Sequence, residues 1–412
     1  MDGLTVYPRE LAEQEMALFP MRLYQAYLPA LFIGCILLCA GCLDRGDALE
    51  AAALDGAKVA DQSQPPEQPE PEPPPPPASF TMVAVGDVML DRWVGQVIER
   101  RGAAHILEKV RDDLRTADIA FANLESPLST VGAHAPKACI FRADPAAVEV
   151  LLDGGFNIVS IANNHTLDAG VPGLMQTMDH LEAAGIAWCG AARERERSWE
   201  PTRFEIGGLT LGFVACTDLS FQHGSWCKVD AEMTEFAEHI RAAKSQCDLL
   251  VVSIHWGNEY QNVPTRRQRE VAHAAIDAGA DLIIGHHPHV LQGVGAYRGA
   301  PILYSTGNFV FDQREGERME SAIFHLRYTE GEGWHIRMVP VWIPFARAGP
   351  IYPEPSRAKR IIERLASLSE NLGVPVEVRD NEGETIIAPE LRRLRSPSQV
   401  RSDILQRPRP PE

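Results

Sequence analysis

Residues 281–290 read Asp281-Leu-Ile-Ile-Gly-His-His-Pro-His-Val290, with three histidines in four positions directly after a short apolar run. Asp281 to Ile284 reads as the end of a buried strand, and imidazoles crowded at its exit call for a ligand or a reaction. Upstream, Thr265 to Ala278 is expected to be a helix, and before it Leu249 to Ile254 is a strand ending in His255-Trp256-Gly257. Downstream, Ile302-Leu-Tyr-Ser305 leads into Thr306-Gly307-Asn308.

The same alternation runs through the chain from Ser79. Phe80 to Val85, Ile119 to Ala122 and Asn157 to Ala162 are strand candidates. Gln96 to Leu114, Pro145 to Asp153, Val171 to Ala184 and Ala231 to Ser245 are helical by pattern. Gly185 is placed to end its helix, and Gly207-Gly208 to turn a hairpin. Later strands are expected near Ala322 to Tyr328 and His335 to Val341. Alternating strands and helices predict an α/β protein with partly parallel pairing.

A second regularity lies on top of the first. Asp87, Asn123 with Glu125, Asn164 with His165, His255 and the histidine cluster each stand just past the carboxyl end of an apolar strand. Ligands of open α/β sheets bind in the crevice beyond those ends. Taken singly, Asp87 and Asn164 also suit turns or caps, and His255 suits a satisfied core position. Taken together, Asp, Glu, Asn and His without thiolate suit one or two divalent ions, Mn, Fe or Zn, better than an all-oxygen ion.

Composition narrows the function. The 412 residues are 45% hydrophobic with a net charge of −17. An acidic chain lacks the basic face that releases phosphate counterions, so nucleic acid is not an expected partner. Any anion site has to be locally basic. Most of the acidity serves solubility.

The amino-terminal part reads as a targeting segment. Leu28 to Ala40 is an apolar run that ends in Ala40-Gly41-Cys42, and Arg22 precedes it. It is short for a membrane span. Residues 1–42 resemble a bacterial lipoprotein signal with Cys42 as the acylated residue, and Met21 is a possible true start. An uncleaved anchor or an ordinary secretory signal is the alternative. Residues 43–78 form a Pro- and Glu-rich linker, in which Pro65 to Pro77 would span about 40 Å as polyproline II. Cys139, Cys189, Cys216, Cys227 and Cys247 follow, with no Cys-x-x-Cys pair, so neither a full disulfide framework nor a thiolate zinc site is expected.

Several blocks carry a specific resemblance. They are Gly86-Asp-Val-Met-Leu90, Asn123-Leu-Glu125, Ala162-Asn-Asn-His-Thr-Leu-Asp-Ala-Gly170, Ser253-Ile-His-Trp-Gly-Asn-Glu-Tyr260, residues 279–293 around the histidine cluster, and Tyr304-Ser-Thr-Gly-Asn-Phe309. In this order they resemble the CapA family of poly-γ-glutamate capsule synthesis or anchoring proteins, related to calcineurin-like metallophosphatases. The resemblance implies a four-layer α/β/β/α sandwich, metallophosphatase-like, over 79–350. It implies Asp87, Glu125, Asn164, His255, His287 and His289 as metal ligands, with His286 an alternative to one of the paired histidines. It implies His165 as the group that assists proton transfer. Lys137 and Arg142, in a stretch similar to the family's Lys…Phe-Arg segment, and Arg92 are expected to hold an anionic substrate. Asn123 and Asn308 are further candidates, and Asp168 is expected to orient the Asn-Asn-His loop. The related enzymes begin with Asp-x-His, whereas Val88-Met89 follow Asp87 here.

The chemistry these features predict is metal-assisted hydrolysis or transfer, in which the ion lowers the pKa of water toward neutrality. The substrate would be poly-γ-glutamate or another anionic envelope substrate. A non-catalytic assembly protein, with membrane attachment and a capsule-synthesis complex as partners, is the competing expectation. Past Pro353, residues 351–390 read as a helix (Ser356 to Leu372) and a hairpin around Asn381-Glu-Gly383, and 391–412 as an Arg/Pro-rich tail.

Overall fold

A computed structural model describes residues 77–389 apart from 134, 136, 220–225 and 231. The signal segment with Cys42, nearly all of the linker and the Arg/Pro-rich tail lie outside the described residues. No helix of the described residues is long and apolar enough to cross a membrane.

The chain begins with β1 (Ser79–Val88), α1 (Arg92–Arg101), α2 (Ala104–Leu107), α3 (Arg111–Leu114) and β2 (Ile119–Leu124). A 3-10 turn at Pro145–Ala147 leads into α4 (Val148–Gly154), then β3 (Ile158–Ser160), α5 (Gly170–Ala183) and β4 (Ala187–Cys189). The hairpin β5 (Thr202–Ile206) and β6 (Leu209–Thr217) precedes α6 (Thr234–Lys244), β7 (Leu249–His255), α7 (Arg266–Ala278) and β8 (Leu282–His286). Then come β9 (Val294–Tyr297), β10 (Ala300–Leu303), β11 (Asn308–Val310), β12 (Glu320–Thr329) and β13 (Gly333–Trp342). The described chain closes with α8 (Pro355–Glu370), β14 (Glu377–Arg379) and β15 (Glu382–Ile387).

Two sheets form. The nine-stranded sheet runs β14-β15-β13-β12-β1-β2-β3-β4, with β11 also pairing β1, and the six-stranded sheet runs β5-β6-β7-β8-β10-β9. Parallel pairing runs from β1 out to the edge strand β4 in the first, and through β6, β7, β8 and β10 in the middle of the second. The first carries antiparallel strands toward β14, the second at both edges.

Period-two alternation decides the layering. On β1, Val83 and Val85 face a cluster with helical residues such as Val94, Leu107, Leu151 and Leu174. Met82 and Ala84 face the opposite way, into a cluster with Leu211, Phe213, Val251 and Leu282 of the second sheet. The second sheet turns Val252, Ile254 and Ile283 toward Phe236, Ile240 and Val271 of α6 and α7. Helix, sheet, sheet and helix therefore stack in four layers, as the resemblance implies. Phe121 and Phe213 lie ring on ring between the sheets at 5.8 Å. The inner strands are buried on both faces, which explains their unbroken apolar runs.

Local signals set several boundaries. Thr265 caps α7: its hydroxyl accepts from the Gln268 amide at 3.1 Å, and the Gln268 side chain accepts from the Thr265 amide at 2.9 Å. The single helix expected over Gln96 to Leu114 is broken into three pieces. Gly102 takes a φ of 83°, a left-handed conformation that ends α1. The carboxy-terminal hairpin extends the nine-stranded sheet through β15 against β13. Ile361, Ile362 and Leu365 of α8 enter the core between the sheets.

Candidate metal centre

The register of the strands gathers the polar residues. Asp87 stands opposite Asn123 on β2 and Asn308 on β11, and Asn123 opposite Ser160. In the other sheet His255 stands opposite Thr217 and His286. Both rows lie at the carboxyl ends of parallel strands.

Between the rows the side chains meet. Oδ1 of Asp87 is 3.3 Å from Nδ1 of His286, and Oδ2 is 3.4 Å from Nδ1 of His289. Oε1 of Glu125 is 3.7 Å from Nε2 of His255 and 3.8 Å from Nε2 of both His289 and His165. Oδ1 of Asn164 is 2.8 Å from Nε2 of His255. The His255 and His287 rings are 4.9 Å apart. Asp87, Glu125, Asn164, His165, His255, His286, His287 and His289 are thus one buried constellation.

Two turns of unusual backbone present the histidines. His287 has a φ of 97° and His289 of 58°, both left-handed. Such conformations cost about 1–3 kcal/mol each, and strain of this kind concentrates at ligand sites. Asn308 braces the turn: its Oδ1 faces Nδ1 of His289 at 2.8 Å, and its amide donates to the His289 carbonyl at 3.2 Å. Asn123 braces Asp87, donating to Oδ1 at 2.9 Å.

The electrostatics are those of a site short of positive charge. Burial, then the charge of Asp87, pushes the Glu125 carboxyl well above its ordinary range. Burial also disfavours ionised Asp87, but hydrogen bonds and charge from His286 and His289 outweigh it and hold Asp87 well below the usual carboxylate range. Burial lowers His289, yet Glu125 and Asp87 overcome it and raise the imidazole to about 9. Burial, then the neighbouring His289, takes His287 down to about 3. Burial and His287 depress His255 well below its usual value.

Both oxygens of Glu125, Nε2 of His286 and Nδ1 of His287 are buried with no hydrogen-bond partner. A buried carboxylate left this way costs several kcal/mol. Among the described residues, donor atoms of Asp87, Glu125 and His255, and of Glu125, His287 and His289, lie within 4.8 Å of one another in each group. The residues fit a divalent cation, and Glu125 belongs to both groups. The donor set is carboxylate and imidazole, with no thiolate.

The proton-handling candidate has its own frame. Nδ1 of His165 is 2.6 Å from Oδ2 of Asp168, and the Phe141 amide donates to the same oxygen at 2.7 Å. Phe141 stacks on the His165 ring at 3.9 Å. Burial lowers the His165 pKa, against the pull of Asp168. Asn163, not singled out from the sequence, ties the loop together. Its amide donates to Asn123 Oδ1 at 3.1 Å and to the Leu124 carbonyl at 2.9 Å, and its Oδ1 accepts from the His165 amide at 3.0 Å. Only the doubled asparagine in the sequence hinted at it.

The three basic candidates divide. Lys137 pairs with Asp168 and donates to the Asn164 carbonyl at 2.7 Å, so its ammonium braces the His165 loop. Arg92 pairs with Asp312 and sits 4.9 Å over the Phe141 ring, at the edge of the centre. Arg142 donates to the Gly132 carbonyl at 3.4 Å. Met89, at the place of the missing histidine, is fully buried in the apolar cluster under the helices.

Residues 81–313 match the family model described as "Bacterial capsule synthesis protein PGA_cap". The chain is 33% identical over 289 residues to "PGA biosynthesis protein CapA" of Bacillus subtilis (strain 168), covering 68% of this chain and 76% of that one. It is also 33% identical over 263 residues to "Capsule biosynthesis protein CapA" of Bacillus anthracis, covering 60% of this chain and 64% of that one. A "Probable polyglutamine synthesis accessory protein" of Mycobacterium tuberculosis is 27% identical over 319 residues, 63% of this chain and 84% of its own. By the extent of these matches, the chain belongs to the bacterial capsule synthesis protein PGA_cap family.

Proposed function

We propose that the protein works in the synthesis, export or anchoring of poly-γ-glutamate, or of a similar anionic envelope polymer, as a divalent-metal-dependent hydrolase or transferase. The observation that carries this reading is Glu125: a carboxylate buried with both oxygens unpartnered, facing His255 and His289 from the smaller sheet and His165 from the loop after β3 of the larger one. Asp87, Glu125, His255, His287 and His289 would hold one or two ions, Mn, Fe or Zn, with Asn164 as an amide ligand. A bound ion would supply Lewis-acid polarisation of a carbonyl or phosphoryl oxygen and a more acidic water.

The remaining chemistry belongs to the chain. Lys137 directs its ammonium to Asp168 and the Asn164 carbonyl, so the Nδ1 proton of His165 faces Asp168. Nε2 of His165 then points at the cluster, 3.8 Å from Glu125, where it can take a proton from an attacking water and pass it on to a leaving oxygen or nitrogen. Phe141 covers the ring and keeps it fixed and dry. Asp168 is a positioning residue.

One observation favours a second reading, a polymer-assembly protein without turnover. Met89 fills apolar core where the related phosphatases place a histidine, so one ion would lack a ligand. Under either reading we assign residues 1–42 as a lipoprotein signal acylated at Cys42, 43–78 as a Pro- and Glu-rich linker and 391–412 as an Arg/Pro-rich tail, all of which but 77 and 78 lie outside the described residues. The site is the exported cell envelope, the anchor is a membrane lipid, and a capsule-synthesis complex is the partner.

Metal analysis of the purified protein, then a screen of phosphoesters and γ-glutamyl peptides with added Mn²⁺, tests the proposal. Turnover abolished by chelation and by His165→Ala supports the enzyme. Tight metal with no turnover on either class would leave the assembly role.

A further inference from the structure

The constellation opens past Asn164, His165, His287 and His289, which are 9, 5, 4 and 5% exposed, whereas Asp87 and Glu125 are 0% exposed. A row of rings borders that opening. Phe141, stacked on His165, meets Phe311 edge-on at 6.0 Å; Phe311 meets His289 at 4.9 Å; Tyr260 lies 6.3 Å from His289.

A guanidinium stands at each end of the row. Arg92 Cζ is 4.9 Å over Phe141 and 5.9 Å over Phe311, and Arg318 Cζ is 4.7 Å over Tyr260. Their side chains are 40% and 26% exposed. One segment of chain fixes both. Asp312 accepts from Nε and Nη2 of Arg92, while Gln313 and Glu315 accept from Nη1 and Nη2 of Arg318 at 3.4 and 2.6 Å. The same segment reaches the ligands, because the Asn308 amide donates to the Arg318 carbonyl at 2.8 Å while its oxygen faces His289. Each guanidinium has five N–H donors, so an outward-facing edge remains for a second carboxylate.

Backbone strain collects in the same place. Of the nine non-glycine residues with positive φ among those described, Arg92, Tyr260, His287 and His289 border this opening. Tyr260 combines a φ of 63° with 44% exposure. Its amide donates to the Pro288 carbonyl at 2.8 Å, between two of the histidines. Glu259 and Arg318 both sit at the Tyr260 hydroxyl, where the carboxylate repels an anion and the guanidinium offsets it. That leaves the ring face and Arg318 for recognition.

We propose that Arg318 with Tyr260, and Arg92 with Phe141, are two subsites on either side of the metal centre. An extended chain bearing carboxylates and planar amides would lie across it, one carboxylate at each guanidinium and an amide plane on the Tyr260 ring. This rests on the polymer reading above. It adds the residues that select a carboxylate-bearing polyamide over a neutral polymer.

The test uses the full chain in detergent with Mn²⁺ and fluorescently labelled poly-γ-glutamate, with labelled dextran as the neutral comparison. Arg318→Ala, Arg92→Ala and Tyr260→Ala are each expected to weaken polyglutamate binding about tenfold with metal content unchanged, and Arg318→Lys to lose less. If wild type binds and the alanine variants bind equally well, the subsites are wrong and the polymer reading stands. If wild type binds neither polymer, the polymer reading itself falls and takes the subsites with it. Binding lost together with metal also overturns the assignment, because the residues then serve the metal centre and not the polymer.

Discussion

Oε1 of Glu125 faces Nε2 of His255 at 3.7 Å across the junction of the two sheets, and neither oxygen of that carboxylate has a hydrogen-bond partner. A group placed this way destabilises the metal-free protein and serves only when a cation arrives. Glu125→Gln is therefore expected to remove most of the bound metal while leaving the metal-free protein as stable as wild type, or more so by about 1–2 kcal/mol. Elemental analysis and thermal unfolding, each with and without chelator, read the two effects. Wild-type metal content in the variant would end this account of Glu125.

The 2.6 Å approach of Asp168 to Nδ1 of His165 predicts a loss without loss of metal. Asp168→Asn keeps the shape but reverses what the Nδ1 position can be offered. Turnover of whichever substrate the screen identifies is expected to fall by about 10² or more in kcat. Elemental analysis should return the wild-type metal content. Equal kcat in the variant would show that His165 needs no such support.

Gly86 lies where two backbones nearly touch. A Cβ there would come within 2.0 Å of the Gly307 carbonyl oxygen, in the strand that carries Asp87. Gly86→Ala has no flexible side chain to displace, so a cost above about 3 kcal/mol is expected. Denaturant unfolding measures it, and a change under 1 kcal/mol on the same scale would contradict the close approach.

Asp113 offers a pH test away from the candidate metal centre. Burial alone would raise its carboxyl, but His325 at 3.2 Å, the Tyr352 hydroxyl donating at 3.0 Å and Arg337 outweigh it and lower the pKa. A depressed folded-state pKa stabilises above the unfolded value of 3.8 and loses that contribution as pH falls through the folded value. The side chain is 20% exposed and its partners reach solvent, so the contribution is below about 1 kcal/mol. Asp113→Asn should narrow the stability gap between pH 6 and pH 3, roughly bracketing the carboxylate range. An unchanged gap would show that Asp113 is not stabilised by these partners.

Ile361, buried between the sheets, makes α8 part of the core. Ile361→Ala is expected to cost about 2–4 kcal/mol. Removal of a merely appended helix would leave the unfolding midpoint in place.

How much of this could be read beforehand follows from the range of each interaction. Strand-end placement of Asp87, Glu125, Asn164, His255 and the histidine cluster was visible because an unbroken apolar run, then a polar residue, is a local pattern. The layering follows from alternation within single strands, as at Met82 to Val85. The broken helix after Gly102 was lost because apolar spacing continues across the break. The short strand at Asn308–Val310 is held by pairing with β1, a partner more than 200 residues away. Lys137 and Arg142 share one segment, yet one donates into the His165 loop and the other to the Gly132 carbonyl. Arg318 carried no signal, since its place at the opening depends on Asn308 and Glu315 holding it there.

Asp87 and Glu125 come from the larger sheet, whereas His255, His287 and His289 come from the smaller one. A cation bonded to both would work as a rivet through the sandwich, resisting any sliding of one half over the other. At a hundredfold excess over its dissociation constant, such a rivet adds about 2.7 kcal/mol against unfolding. Scarcity of the ion would then loosen the whole body.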